Sequence, residues 1–188
     1  MSDVTQILQR IESGDAAAAK DLLPLVYDEL RKLAAAKMIA ERPDHTLHAT
    51  ALVHEAYVRL VDQDQAQQWD SRGHFFSAAA EAMRRILVES ARAKQRRKRG
   101  GDARRAAGVD LGQVAETTLS LPPDELLDLD EALGRLEQLE PDVARLVNLR
   151  LYAGLSNGEA ARVLGIASTT ARKRWRFARA WFAVELGR

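Results

Sequence analysis

The sequence predicts an all-α protein of two small helical domains joined by a flexible acidic linker. Three observations predict it. Apolar residues recur at spacings of three and four rather than two, and no strand is convincing anywhere in the chain. Residues 100–124 collect Gly100, Gly101, Gly108, Gly112, Pro122 and Pro123 without a helical apolar stripe. The charge alternates in sign: behind a net charge of +1 stand −5 for residues 1–83, +8 for 84–109, −9 for 110–142 and +7 for 143–188. The chain therefore divides into a first domain at 1–99, a linker at 100–124 and a second domain at 125–188. At about 65 residues the second is near the lower limit for an independent core, so close packing of Leu, Ile, Phe and Trp must hold it.

Val4, Ile7, Leu8 and Ile11 give a short first helix that ends near Gly14. Asp15 caps a second, from about Ala16 to Ala40, with Pro24 as a kink or a break near its start. A third runs from about Thr50 to Val61 and places Leu52, Val53, Ala56, Tyr57 and Leu60 on one stripe. A fourth extends from about Gly73 through Met83, Ile86 and Leu87 to a basic end near Arg99, where Gly100-Gly101 stops it. After the linker, Leu126, Leu129, Leu133 and Leu136 give a helix from about Asp124 to Leu139. Pro141 starts the next, with Val143, Leu146, Val147 and Arg150-Leu151 as its stripe.

The absence of cysteine among 188 residues excludes disulfides, thiolate zinc sites and cysteine nucleophiles. His45, His48 and His54 lie close in sequence without a carboxylate at a metal-ligand spacing, so no metal is expected. Neither a Walker-type loop nor a Gly-x-Ser-x-Gly elbow is present, no cofactor is implied, and an enzyme has the least support of any class. No run reaches the ~18 apolar residues of a membrane span, and Met1-Ser2-Asp3 does not begin a secretory signal. A cytoplasmic protein without membrane insertion is expected.

Two basic blocks flanking an acidic stretch point to two anionic contact sites, with nucleic acid as the obvious polyanion and solvated surface as the alternative. The sharper signal lies between Leu155 and Arg174. Ser156 with Glu159 forms a capping box, Ala160 and Ala161 allow a close helix crossing, and Gly165 supplies a tight turn before Ile166. This is the pattern of a helix-turn-helix, whose second helix enters the DNA major groove. Thr169, Thr170, Arg172, Lys173 and Arg176 form its groove-facing set, Arg174 and Arg179 are placed to hold phosphates, and Ala171, Trp175, Ala178, Trp181 and Phe182 pack inward.

In the first half Arg84, Arg85, Arg92, Lys94 and Arg96 have the composition of a phosphate-contacting helix. Trp69, Phe75 and Phe76 stand upstream. Aromatics beside a basic groove stack on unpaired bases at ~1–3 kcal/mol each, and core packing is the equal alternative for any of the three. The third helix sets His54, Glu55 and Arg59 opposite its apolar face.

Taken in order, three blocks resemble the sigma factors of bacterial RNA polymerase, in particular the extracytoplasmic-function (ECF) group and its ECF-like subgroup. Ala51 to Leu60 looks like region 2.2, Gly73 to Gly101 like regions 2.3 and 2.4, and Leu155 to Phe182 like region 4.2. The resemblance implies a promoter-specificity subunit that binds the polymerase core. Region 2 would bind the clamp through His54, Glu55 and Arg59 and capture the melted −10 strand through Trp69, Phe75, Phe76, Arg84, Arg85, Arg92, Lys94 and Arg96. Region 4 would bind the flap and read the −35 duplex of promoter DNA through Thr169, Thr170, Arg172, Lys173 and Arg176. The acidic linker would thread a positively charged channel meant for RNA. Control by an anti-sigma factor or a Ser/Thr kinase is implied as well, with Thr50, Ser156, Thr169 and Thr170 as candidate hydroxyls.

The chain departs from the family's pattern at three places. Thr50 and Ala51 stand where acidic residues are common, and Ala78-Ala79-Ala80 replaces bulkier side chains. Ala167 occupies the place of a cap serine and Ser168 follows, which shifts the expected start of the recognition helix by one residue. Two other readings remain open on the residues alone: a stand-alone helix-turn-helix regulator that binds duplex without polymerase, and a helical adaptor whose basic ends are only solvated.

Overall fold

A computed structural model of the chain describes residues 49–61, 72–97 and 121–187, with the single positions Gln6, Ile7, Arg10, Ser13, Ala18 and Leu111. These residues contain six long or medium helices and no strand: α1 (Ala49–Val61), α2 (Arg72–Arg97), α3 (Pro123–Leu139), α4 (Pro141–Leu151), α5 (Asn157–Val163) and α6 (Ser168–Leu186). The all-α expectation holds. Most of the two helices expected before residue 41, Trp69, the Gly100-Gly101 stop and most of the linker lie outside the described residues.

Helix starts follow local chemistry. Pro123 and Pro141 occupy first-turn positions, where the missing N–H costs nothing and the fixed φ suits the helix. Asp124 and Glu125 in the first turn of α3, and Asp142 in that of α4, meet the positive ends of the helix dipoles. Glu140 accepts from Val143 and Ala144 while its own N–H donates to Leu136, so one residue closes α3 and opens α4.

The apolar stripes read from the sequence are the buried ones. Leu52, Val53, Ala56 and Tyr57 of α1 are buried, and α1 packs on α2. In the second half Leu129, Leu133, Leu136, Leu146, Val147, Ala178 and Phe182 are fully enclosed. Beyond the sequence expectation, α2 also packs on α3, α4 and α5, so the two halves share one continuous apolar core. Leu111, from the segment read as linker, is 1% exposed and belongs to that core. Most acidic residues of the 110–142 stretch sit on α3. Its carboxylates serve the fold, as the ion pairs below show.

Candidate nucleic-acid interface

The helix-turn-helix is built by two local devices. At the start of α5 the Ser156 hydroxyl accepts from the Glu159 N–H at 3.2 Å, and the Ser156 N–H donates to Glu159 Oε2 at 2.8 Å. At its end Gly165 takes φ +63°, the Ile166 N–H donates to the Ala161 carbonyl at 3.0 Å and the Gly165 N–H to that of Arg162 at 3.3 Å. That bond pair is a Schellman closure. A Cβ at Gly165 would meet nothing within 4 Å, so backbone conformation rather than space demands glycine there. Ala160 and Ala161 are buried at the crossing of α5 with α6.

Helix α6 starts without the expected shift. Ala167 itself is the N-cap, with extended backbone (φ −64°, ψ 143°) and no side-chain bond to the first turn. Replacing this exposed alanine by serine therefore restores a missing acceptor, and Ala167→Ser is expected to stabilise the fold by about 1 kcal/mol, read as a higher urea midpoint at unchanged slope. No gain would mean that water already satisfies those N–H groups equally well.

Ala171, Trp175, Ala178 and Phe182 form the buried face of α6. The Arg150 guanidinium lies 3.8 Å from the centre of the Trp175 ring, and the Trp181 and Phe182 rings meet edge to face at 5.0 Å. On the opposite face Thr169, Arg172, Lys173 and Arg176 stand at i, i+3, i+4 and i+7, all exposed, with Thr170 half-buried beside them. Arg172, Lys173 and Arg176 make no ion pair among the described residues. Arg174, expected to hold a phosphate, is instead paired with Asp142 at 2.7 Å and pins α6 to α4.

The basic helix α2 sorts its residues differently from the sequence reading. Phe75 and Phe76 are 1% and 2% exposed and touch edge to face, so core packing holds and neither ring is presented to a base in this arrangement. Arg84 is a second correction. It is 8% exposed, and its Nε donates to Asp130 Oδ1 at 2.6 Å, its Nη2 to the Asp130 carbonyl at 3.3 Å and its Nη1 to Glu137. Burial opposes its charge, but the hydrogen bond and charge of Asp130 outweigh that and raise its pKa. Arg85, Arg92 and Arg96 are exposed and Lys94 is half-exposed, while Trp69 lies outside the described residues.

A signal for both corrections is present in the chain. Phe75, Phe76, Ala79, Met83, Ile86 and Leu87 trace one helical stripe, and Arg84 sits on the flank of Ala80, Leu87 and Ala91, where a lone cation needs internal partners. Those partners, Asp130 and Glu137, are 46 and 53 residues away and were missed, as were Asn148 and Tyr152 beside them. Asn148 Nδ2 donates to Glu81 Oε2 at 3.1 Å. Asn148 Oδ1 and the Tyr152 hydroxyl are buried without a hydrogen-bond partner among the described residues, a cost of about 1–3 kcal/mol each. Burial pushes the Tyr152 hydroxyl far above the usual phenol range.

On α1, His54 is exposed and Arg59 reaches across to α2, donating to Glu89 at 2.7 and 3.2 Å and to Glu55 at 3.0 Å. The Arg59 hydrogen bond holds the Glu89 carboxyl below its ordinary range.

The family of ECF sigma factors matches residues 1–188. The chain belongs to that family. No curated protein and no solved structure matches it significantly. As a sigma factor it is a transcription-initiation protein of bacterial RNA polymerase. Among the described residues no helix is long and apolar enough to cross a membrane. The sigma factor's Ser156 hydroxyl, one of the candidate modification sites, is engaged as the α5 cap.

Proposed function

We propose that this sigma factor binds core polymerase and directs initiation at promoters that carry its −10 and −35 sequences. The second half reads the −35 duplex through Thr169, Thr170, Arg172, Lys173 and Arg176 and docks on the flap. The first half uses His54, Glu55 and Arg59 on the clamp, and Arg85, Arg92, Lys94 and Arg96 on the −10 strand. An anti-sigma factor or a Ser/Thr kinase restrains it.

One observation carries the reading. The fold neutralises Arg59, Arg84 and Arg174 with its own carboxylates, yet leaves Arg172, Lys173 and Arg176 together on the open face of a helix-turn-helix. Like charges gathered without counter-charges attract a polyanion, and arginine pairs in a bidentate way with guanine.

The test mixes the purified protein with core polymerase from the same bacterium, measures co-elution and follows run-off transcription from the promoter of its own gene. Co-elution with a defined start site is expected. Tight duplex binding without polymerase and no co-elution would instead establish a stand-alone regulator.

A further inference from the structure

Helix α4 grips α6 on both flanks. Asp142, in the first turn of α4, pairs with Arg174 at 2.7 Å, and Arg150, in its last turn, lies 3.8 Å from the centre of the Trp175 ring. We propose that Arg150 is a positioning residue for promoter reading: stacked on Trp175, it fixes the roll of α6 about its axis and so the direction in which Arg172 and Arg176 meet the −35 bases. The inference rests on the promoter reading above.

Asp142 and Arg150 stand about 12 Å apart along α4, while Arg174 and Trp175 are consecutive on α6 and diverge by about 100° around its axis. Two distant points of one helix therefore meet adjacent residues of the other, so α4 lies across α6 with one contact on each side. One turn to either side of Trp175 the inner face of α6 offers Ala171 and Ala178, side chains too short to interlock with a neighbour. Apolar burial is non-directional and sets no roll angle by itself. Phe182 anchors the helix two turns further on, away from the reading residues. Trp175 is the large side chain at their level, three residues after Arg172 and one before Arg176.

The two contacts differ in stiffness. The Asp142 side chain is 54% exposed and also reaches Arg145 at 3.8 Å, so water and a second cation compete for it. The Arg150 stack is sheltered: Trp175 is 8% exposed, and Arg150 Nε and Nη1 are closed off from solvent. A guanidinium is held most firmly over an indole when both are desolvated, and its plane restrains the tilt of the ring. The angle matters at atomic scale. At a side-chain radius of about 5–6 Å, a roll of about 20° carries a side-chain tip about 2 Å, well beyond the ~0.5 Å window of a hydrogen bond. Bidentate pairing of arginine with guanine is lost within that displacement, whereas a phosphate contact steered by charge survives it.

The test uses Arg150→Met, which keeps an apolar stem against the ring and removes the charged plane. The full-length protein is bound to core polymerase and titrated with duplexes carrying the −35 segment of its own promoter, matched or scrambled. The variant should lose about tenfold in the matched-to-scrambled affinity ratio, within what one arginine–guanine pair supplies. Binding to the scrambled duplex, its salt slope and co-elution with polymerase should stay as in the wild type. Trp175→Leu should lower the ratio similarly, and adding Arg150→Met to it should lower it no further, because the arginine acts through the ring. Tryptophan emission should respond to Arg150→Met in the wild-type background and not in Trp175→Leu. An equal loss on both duplexes, with the salt slope reduced by about one, overturns the proposal, since Arg150 would then hold a phosphate itself. So does an unchanged ratio with a lowered urea midpoint, which marks a contact for stability alone, and so do additive losses in the double variant. A wild-type protein that does not distinguish the two duplexes would instead sink the promoter reading on which the inference stands.

Discussion

Truncating Phe182 to alanine is expected to cost about 4 kcal/mol of folding stability, at the upper end of what single substitutions do. The ring is fully buried, packs edge to face on Trp181 and closes the inner face of α6 against the rest of the second half. Few neighbours can move to fill such a hole, because α3, α4 and α5 all bear on the same short helix face. Marginal total stability of about 5–15 kcal/mol makes this roughly a quarter or more of the reserve. Urea unfolding followed by circular dichroism should show the midpoint fall at a similar slope. Phe177→Ala, five residues earlier on the open face, should stay within about 0.5 kcal/mol; its ring is 47% exposed. Equal effects at the two positions would mean that α6 is not oriented as described.

The second large effect concerns reading rather than folding. Arg172→Ala or Arg176→Ala should lower discrimination for the −35 sequence by about 1–3 kcal/mol while polymerase binding stays intact. Both side chains are exposed and make no ion pair among the described residues, so truncation leaves no buried charge behind. Competition between matched and scrambled −35 duplexes, measured on the polymerase-bound protein, separates the two ways the cations can act. A loss confined to the matched duplex identifies base reading. An equal loss on all sequences, with the salt slope reduced by about one, identifies phosphate contacts instead. Arg174→Ala offers the contrast: it breaks the pair with Asp142, leaving that carboxylate to Arg145 alone, and loosens α6 from α4, so its effect should appear in stability.

The two kinds of arginine explain how far sequence reading extends. Helix positions, the proline starts at Pro123 and Pro141, the capping box at Ser156 and the turn at Gly165 were all legible, since each depends on residues a few places away. The exposed basic face of α6 was legible for the same reason: helical spacing alone puts Arg172, Lys173 and Arg176 away from Trp175 and Phe182. Arg84 and Arg85 are chemically identical neighbours, yet one is buried in a clasp while the other is 65% exposed and pairs within its own helix with Glu81. Nothing local to residue 84 names Asp130 and Glu137.

By itself, then, the amino-acid order determined an all-helical chain, the helix-turn-helix and the family to which it belongs, because periodicity, capping and turn chemistry act over one or two helical turns. Only the tertiary structure decided which cations the fold keeps for itself, that Phe75 and Phe76 serve the core, and that α2 lies against α3, α4 and α5. Those outcomes depend on carboxylates and apolar faces dozens of residues apart, brought together by burial, a force that is non-directional and leaves no local spacing to read.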